Sequence, residues 1–144
     1  MMTRMSTLAA LGLVALLAAT PTVGAQAAPQ APKVRIVEPQ QGATVTGTTV
    51  HVKLESWGVE IAPVAEHRAG TAHHHLFLDT DVTAPDMGIP VGTAGIVHLG
   101  KGQTEYTFEG VAAGPHRLIA VLADPNHVPL KPLVADTLRF TVKP

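Results

Sequence analysis

Ala72-His73-His74-His75-Leu76-Phe77-Leu78-Asp79 is an apolar run with three histidines set into it, and its reading as a β-strand decides the fold. Successive side chains on a strand point to opposite faces, so His73 and His75 share one face and His74 takes the other. Residues two apart on one face stand roughly 6.5 to 7 Å apart, a span that two imidazoles can close onto one metal ion. The strand carries half of a metal site and leaves the other half to be found elsewhere.

The same period of two recurs on either side. Val50, Val52 and Leu54 alternate with His51, Lys53 and Glu55; Thr104, Tyr106 and Phe108 alternate with Gln103, Glu105 and Thr107; Leu138, Phe140 and Val142 alternate with Thr137, Arg139 and Thr141. This is the pattern of half-buried strands. Further strands are expected at 33–37, 59–64 and 116–123, the last continuously apolar and therefore buried on both faces. Turn signals separate them, among them Pro39-Gln40-Gln41-Gly42, Gly100-Lys101-Gly102 and Asp124-Pro125-Asn126. No segment beyond the N-terminal region carries a capped, helix-period stripe. About seven short strands with such turns predict an all-β, immunoglobulin-like antiparallel β-sandwich, with a small barrel as the alternative.

The N-terminus speaks to compartment. Arg4 precedes an apolar stretch over 8–19, and small-x-small patterns follow at Val23-Gly24-Ala25 and Ala25-Gln26-Ala27. This is the layout of a secretory signal peptide over 1–27, cleaved after Ala25 or Ala27. A membrane span needs about 20 apolar residues, more than this stretch offers before Pro21, so no stable anchor is expected after cleavage. A flexible lead-in at 28–32 and a single domain at 33–144 follow. The product is expected to be periplasmic or secreted. The chain holds no cysteine, so in an oxidising compartment the fold stands without disulfides.

Charge and composition exclude several functions. Ten Lys and Arg against eleven Asp and Glu, with no basic run, argue against nucleic acid as a partner. Gly95-Ile96-Val97-His98-Leu99-Gly100-Lys101-Gly102 nearly matches a phosphate-binding loop, but Gly102 stands where a hydroxyl is needed and strand-like sequence follows in place of a helix. Ser56 is the only serine past the signal region and lies in no nucleophile motif, so acyl transfer is effectively ruled out. Asp79, Asp81, Asp86, Glu105 and Glu109 are read as turn and surface carboxylates in water.

All eight histidines lie beyond the signal region. His51 and His67 read as surface residues, His74 as a partly buried structural one, and His116 as the opening of a buried strand. The candidate metal ligands are His73, His75, His98 and His127, with Asp124 as a ligand or as an outer partner that orients one. Imidazole donors without thiolate point to Zn or Cu(II). The alternative is that these rings pin loops through hydrogen bonds.

Four stretches together carry a resemblance: Thr71 through Asp79, then His98-Leu99-Gly100-Lys101-Gly102-Gln103-Thr104-Glu105, then Gly114-Pro115-His116-Arg117-Leu118, then Asp124-Pro125-Asn126-His127-Val128-Pro129. In order and spacing the chain resembles the exported bacterial family known as domain of unknown function 4399, over about 33–142. The resemblance brings no activity, because the family itself is uncharacterised. Its members typically place glycine before the triple histidine and a second histidine in H-V-P-H, where this chain has Ala72 and Leu130. If that second histidine were an essential ligand, Leu130 would disable the site.

Three functions are therefore in view. The first is a non-catalytic β-sandwich that binds another envelope component through histidine-rich loops at one end of the sandwich. The second is a periplasmic Zn or Cu(II) module built on the His73/His75 pair. The third is a metal-dependent hydrolase with Glu105 or Asp79 as base. The leading expectation is a binding module and not an enzyme, with an envelope protein or a metal ion as partner.

Overall fold

The computed structural model describes residues 28–144, and the signal-peptide reading of 1–27 lies outside them. Nine strands form: β1 (Lys33–Glu38), β2 (Thr44–Thr46), β3 (Val50–Trp57), β4 (Glu60–Ile61), β5 (Thr71–Leu78), β6 (Ile96–Leu99), β7 (Glu105–Phe108), β8 (Gly114–Ala123) and β9 (Ala135–Lys143). They make a sandwich of two sheets. One has three strands in the order β1-β3-β7; the other has six, in the order β2-β9-β8-β5-β4, with β6 also pairing with β5. Most pairs are antiparallel, but the short β2 and β4 run parallel to β9 and β5. The expected immunoglobulin-like sandwich is the fold. Among the described residues no helix is long and apolar enough to cross a membrane.

Two expectations about strands need correction. The stretch 59–64 supplies only the two-residue β4, because Pro63 lacks the N–H to extend a ladder and the chain turns into a 3-10 segment at Val64–Glu66. About seven strands were expected, and β2 and β6 bring the number to nine; three and four residues are too short to show a period, and pairing with β9 and β5 creates them.

The alternation along β5 sorts its side chains between two different apolar regions. Ala72 and Leu76 join Val34, Ile36, Val50, Val52, Leu54, Leu118 and Leu138 in the core between the sheets. Phe77 points the other way and packs with Ile89, Ile119, Val121 and Ala123 on the outer face of the larger sheet. The connection from β5 to β6 covers that face, so both faces of β5 are buried over residues 71–77. Each fully buried Leu, Val or Phe side chain contributes about 1.5–3 kcal/mol relative to exposure. This second, smaller cluster makes the outer face of the sheet a dry floor for what lies beside it.

Candidate metal centre

The floor continues from Phe77 into histidine. His73 pairs with Ala123 of β8, His75 with Val121, and on the other side His75 faces His98 of β6. His127 arrives from the turn that follows β8. The four rings meet on the outer face of the larger sheet, with centroids 4.7 to 5.7 Å apart. One ring nitrogen from each residue lies within 4.8 Å of the others, and no carboxylate joins the group among the described residues. The Nε2 atoms of His98 and His127 are 3.2 Å apart. Four nitrogens held tetrahedrally at 2.0–2.1 Å from one ion would stand about 3.3 Å from each other. The His98–His127 pair already stands at that spacing, and the other nitrogens, within 4.8 Å, would have to draw in to reach it.

The hydrogen-bond account of these rings is incomplete in a telling way. His73 and His75 are 1% and 0% exposed. The Nε2 of His73 and both ring nitrogens of His75 are buried without a hydrogen-bond partner. A buried polar group left in this state costs about 1–3 kcal/mol, and native proteins keep few of them. Burial and the neighbouring rings also push the protonation of His73 down to about 4 and of His75 to about 3. His98 is lowered in the same way, by burial and by His127. At neutral pH each of these rings is uncharged and offers one lone-pair nitrogen, so a cation can bind His73, His75 and His98 without first deprotonating an imidazolium.

His74 behaves oppositely. It faces the other sheet, where its Nδ1 donates to the carbonyl oxygen of Gln103 at 3.1 Å, leaving Nε2 to accept from the Ser56 hydroxyl at 2.7 Å. Both nitrogens are satisfied, and the ring ties β5 to β3 across the core. It is fully buried, where partial burial was expected.

The turn after β8 is shaped by Asp124. Its Oδ1 accepts the backbone N–H of Asn126 at 2.8 Å and of Val128 at 3.0 Å. Within this turn His127 adopts φ 65°, in the left-handed region, and its carbonyl accepts the N–H of Ile89 at 2.8 Å. Asp124 is thus no member of the ligand group; it acts on His127 through the backbone. Leu130 packs against the main core, and the cluster reaches four rings without a histidine there.

Other candidates separate from the centre. His51 and His67 are exposed. His116 Nδ1 donates to Asp79 Oδ2 at 2.6 Å and its Nε2 donates to the carbonyl of Ala112 at 2.8 Å. The carboxylates read as free in water are engaged: Asp79 also accepts the N–H of Arg117, Asp81 pairs with Arg117, and Asp86 pairs with Lys131. Glu105 lies on the smaller sheet beside His51 and Lys53. Neither carboxylate considered as a hydrolytic base faces the cluster. The site is also not a set of end loops as expected, since three of its four histidines stand on paired strands.

Several solved structures are similar to this chain at low sequence identity. An engineered protein of known structure superposes with a TM-score of 0.50 at 14% identity, over 81% of this chain and 21% of that one. The fibronectin(III)-like modules of Clostridium thermocellum CbhA give 0.45 at 15% identity, over 78% of this chain and 46% of theirs. The PKD domain of human KIAA0319 gives 0.42 at 13% identity, over 88% and 93%. This chain thus spans about a fifth of the first of these proteins and under half of the second, and likeness at such identities concerns fold alone. No curated protein matches the sequence. The model of one family, described as Domain of unknown function (DUF4399), matches residues 50–143, and the chain belongs to that family.

Proposed function

We propose that this protein is an exported, non-catalytic module that binds one divalent transition-metal ion, Zn²⁺ or Cu²⁺, through His73, His75, His98 and His127. The observation that carries the reading is the convergence of four imidazoles in which three buried nitrogens have no protein partner. A scaffold of hydrogen-bonded histidines, the competing explanation, would have satisfied them, as it satisfies His74. Hard cations such as Mg²⁺ and Ca²⁺ require oxygen donors, and the absence of cysteine from the chain leaves imidazole-preferring metals. Four protein ligands fill a tetrahedral shell, whereas hydrolytic zinc keeps one position for water. This favours holding or handing on an ion over metal-assisted hydrolysis. The signal-like sequence ahead of the domain supports its placement outside the cytoplasm.

The test is calorimetric titration of the chelator-treated domain with Zn²⁺ and with Cu²⁺ at neutral pH, beside the His73→Ala/His75→Ala double variant. One-to-one binding that the double variant loses is the expected result. Heat that survives both substitutions would place the ion elsewhere and end this reading.

A further inference from the structure

Gly100 and Gly102 look equivalent in the sequence, as two turn glycines around Lys101, yet they are glycines for different reasons. Gly102 has φ 77°, a conformation that side chains resist, while Gly100 has no such φ. A Cβ placed on Gly100 would lie far inside contact distance of the Cε1 and Nε2 atoms of His98, and 3.1 Å from its Nδ1. Those three ring atoms are its nearest neighbours. Among the described glycines only Gly88 also lacks a left-handed φ, and a Cβ there would come no closer than 3.8 Å to the Asn126 carbonyl oxygen. Gly100 is therefore the one described glycine whose missing side chain is accounted for by a single functional ring.

We infer that Gly100 is a positioning residue for the metal centre: the space left by its absent side chain is what lets the His98 ring fold back toward His73, His75 and His127. The inference rests on the metal reading of the cluster. The backbone around Gly100 has little freedom to make room instead. Its carbonyl accepts the N–H of Val64 at 2.9 Å, Lys101 forms a bridge with Pro63, and Leu99 is 1% exposed in the core. A methyl group at 100 is therefore relieved by rotation of the His98 side chain, which is half-buried and not fully enclosed. The fold would persist and one ligand would leave.

Gly100→Ala tests this, with Gly102→Ala as the control for the turn and His98→Ala as the reference for loss of the ring. Cu²⁺ affinity should fall about 10- to 100-fold in Gly100→Ala, the range for partners that orient ligands, with the thermal midpoint of the metal-free protein close to wild type. Gly102→Ala should lower that midpoint and keep the affinity. In the His98→Ala background, adding Gly100→Ala should cost nothing further, since there is no ring left to displace. Equal affinity of Gly100→Ala and wild type, or an equal loss with and without His98, would overturn the inference. The histidine ring-proton NMR spectrum of the metal-free protein separates the two readings. If wild type binds no metal, the positioning claim still stands or falls on whether the His98 resonances shift in Gly100→Ala.

Discussion

The two faces of β5 carry the same residue type one position apart and do opposite things with it. His74, turned toward the other sheet, has a donor for one nitrogen and an acceptor for the other, and its environment accounts for it completely. His73 and His75, turned outward, are as deeply buried and leave three nitrogens without partners. Burial alone does not distinguish them, and neither does depressed basicity, which all three share through desolvation. What differs is satisfaction. A structural histidine is one whose hydrogen bonds are already made; the outer pair keeps buried nitrogens that no protein group satisfies.

That contrast is broken most directly by removing one ring from each face. His75→Ala should weaken Zn²⁺ or Cu²⁺ binding by well over about a hundredfold, beyond what an outer partner controls, as read by titration calorimetry. His74→Ala should leave the one-to-one stoichiometry in place and instead cost about 2–4 kcal/mol of folding stability, through the lost ring and the stranded Ser56 hydroxyl. Chemical denaturation of the metal-free protein reads that loss. A His74 variant that folds normally but no longer binds would erase the distinction between the faces.

Acid should act on the outer face next. In the unfolded chain His73 and His75 take up protons below about 6.5, but in the folded protein not until about 4 and about 3. Between those limits the unfolded state binds more protons, so folding stability falls as pH drops, by about 1.4 kcal/mol per pH unit for each ring. The stability that neutral rings supply is fully present above about 6.5. Thermal midpoints of the metal-free protein from pH 7 to pH 4.5 should therefore decline more steeply in wild type than in His73→Ala/His75→Ala. Parallel profiles would mean the rings are not held neutral by the fold.

Much of this was legible in the residues. The period of two in 50–55, 104–108 and 137–142 gives β3, β7 and β9, because each lies half-buried at a sheet surface. Alternation at 73–75 also separates His74 from its neighbours without any coordinates. The four histidines that meet, His73, His75, His98 and His127, could be named from residue type and turn context, but the meeting of strands β5 and β6 could not, since a four-residue strand has no pattern of its own. The covered outer face was legible in the continuous apolar residues within 116–123 of β8, but what covers it was not. A sandwich strand is expected to show one side to water, and only the long connection packing Ile89 onto Phe77 makes this one dry. The separate reason for Gly100 is invisible to turn rules, which treat all glycines in a loop alike.

The smallest expected effect concerns the one histidine of the cluster that no strand holds. His127 owes its place to a turn whose left-handed φ is sustained by two backbone N–H groups converging on Asp124 Oδ1. The Asp124 charge also favours protonation of His73, but weakly against burial and the neighbouring rings. These two roles make different demands on the side chain. If Asp124 works by accepting hydrogen bonds, Asp124→Asn keeps an oxygen in the same place and should bind metal nearly as wild type does. Asp124→Ala should then lose about tenfold in affinity and about 1 kcal/mol of stability. If its charge were what the ion requires, the two variants would lose affinity alike. Calorimetry on the pair, with Zn²⁺ as titrant, reads the difference, and equal losses would move Asp124 from the scaffold of the turn into the electrostatics of the centre.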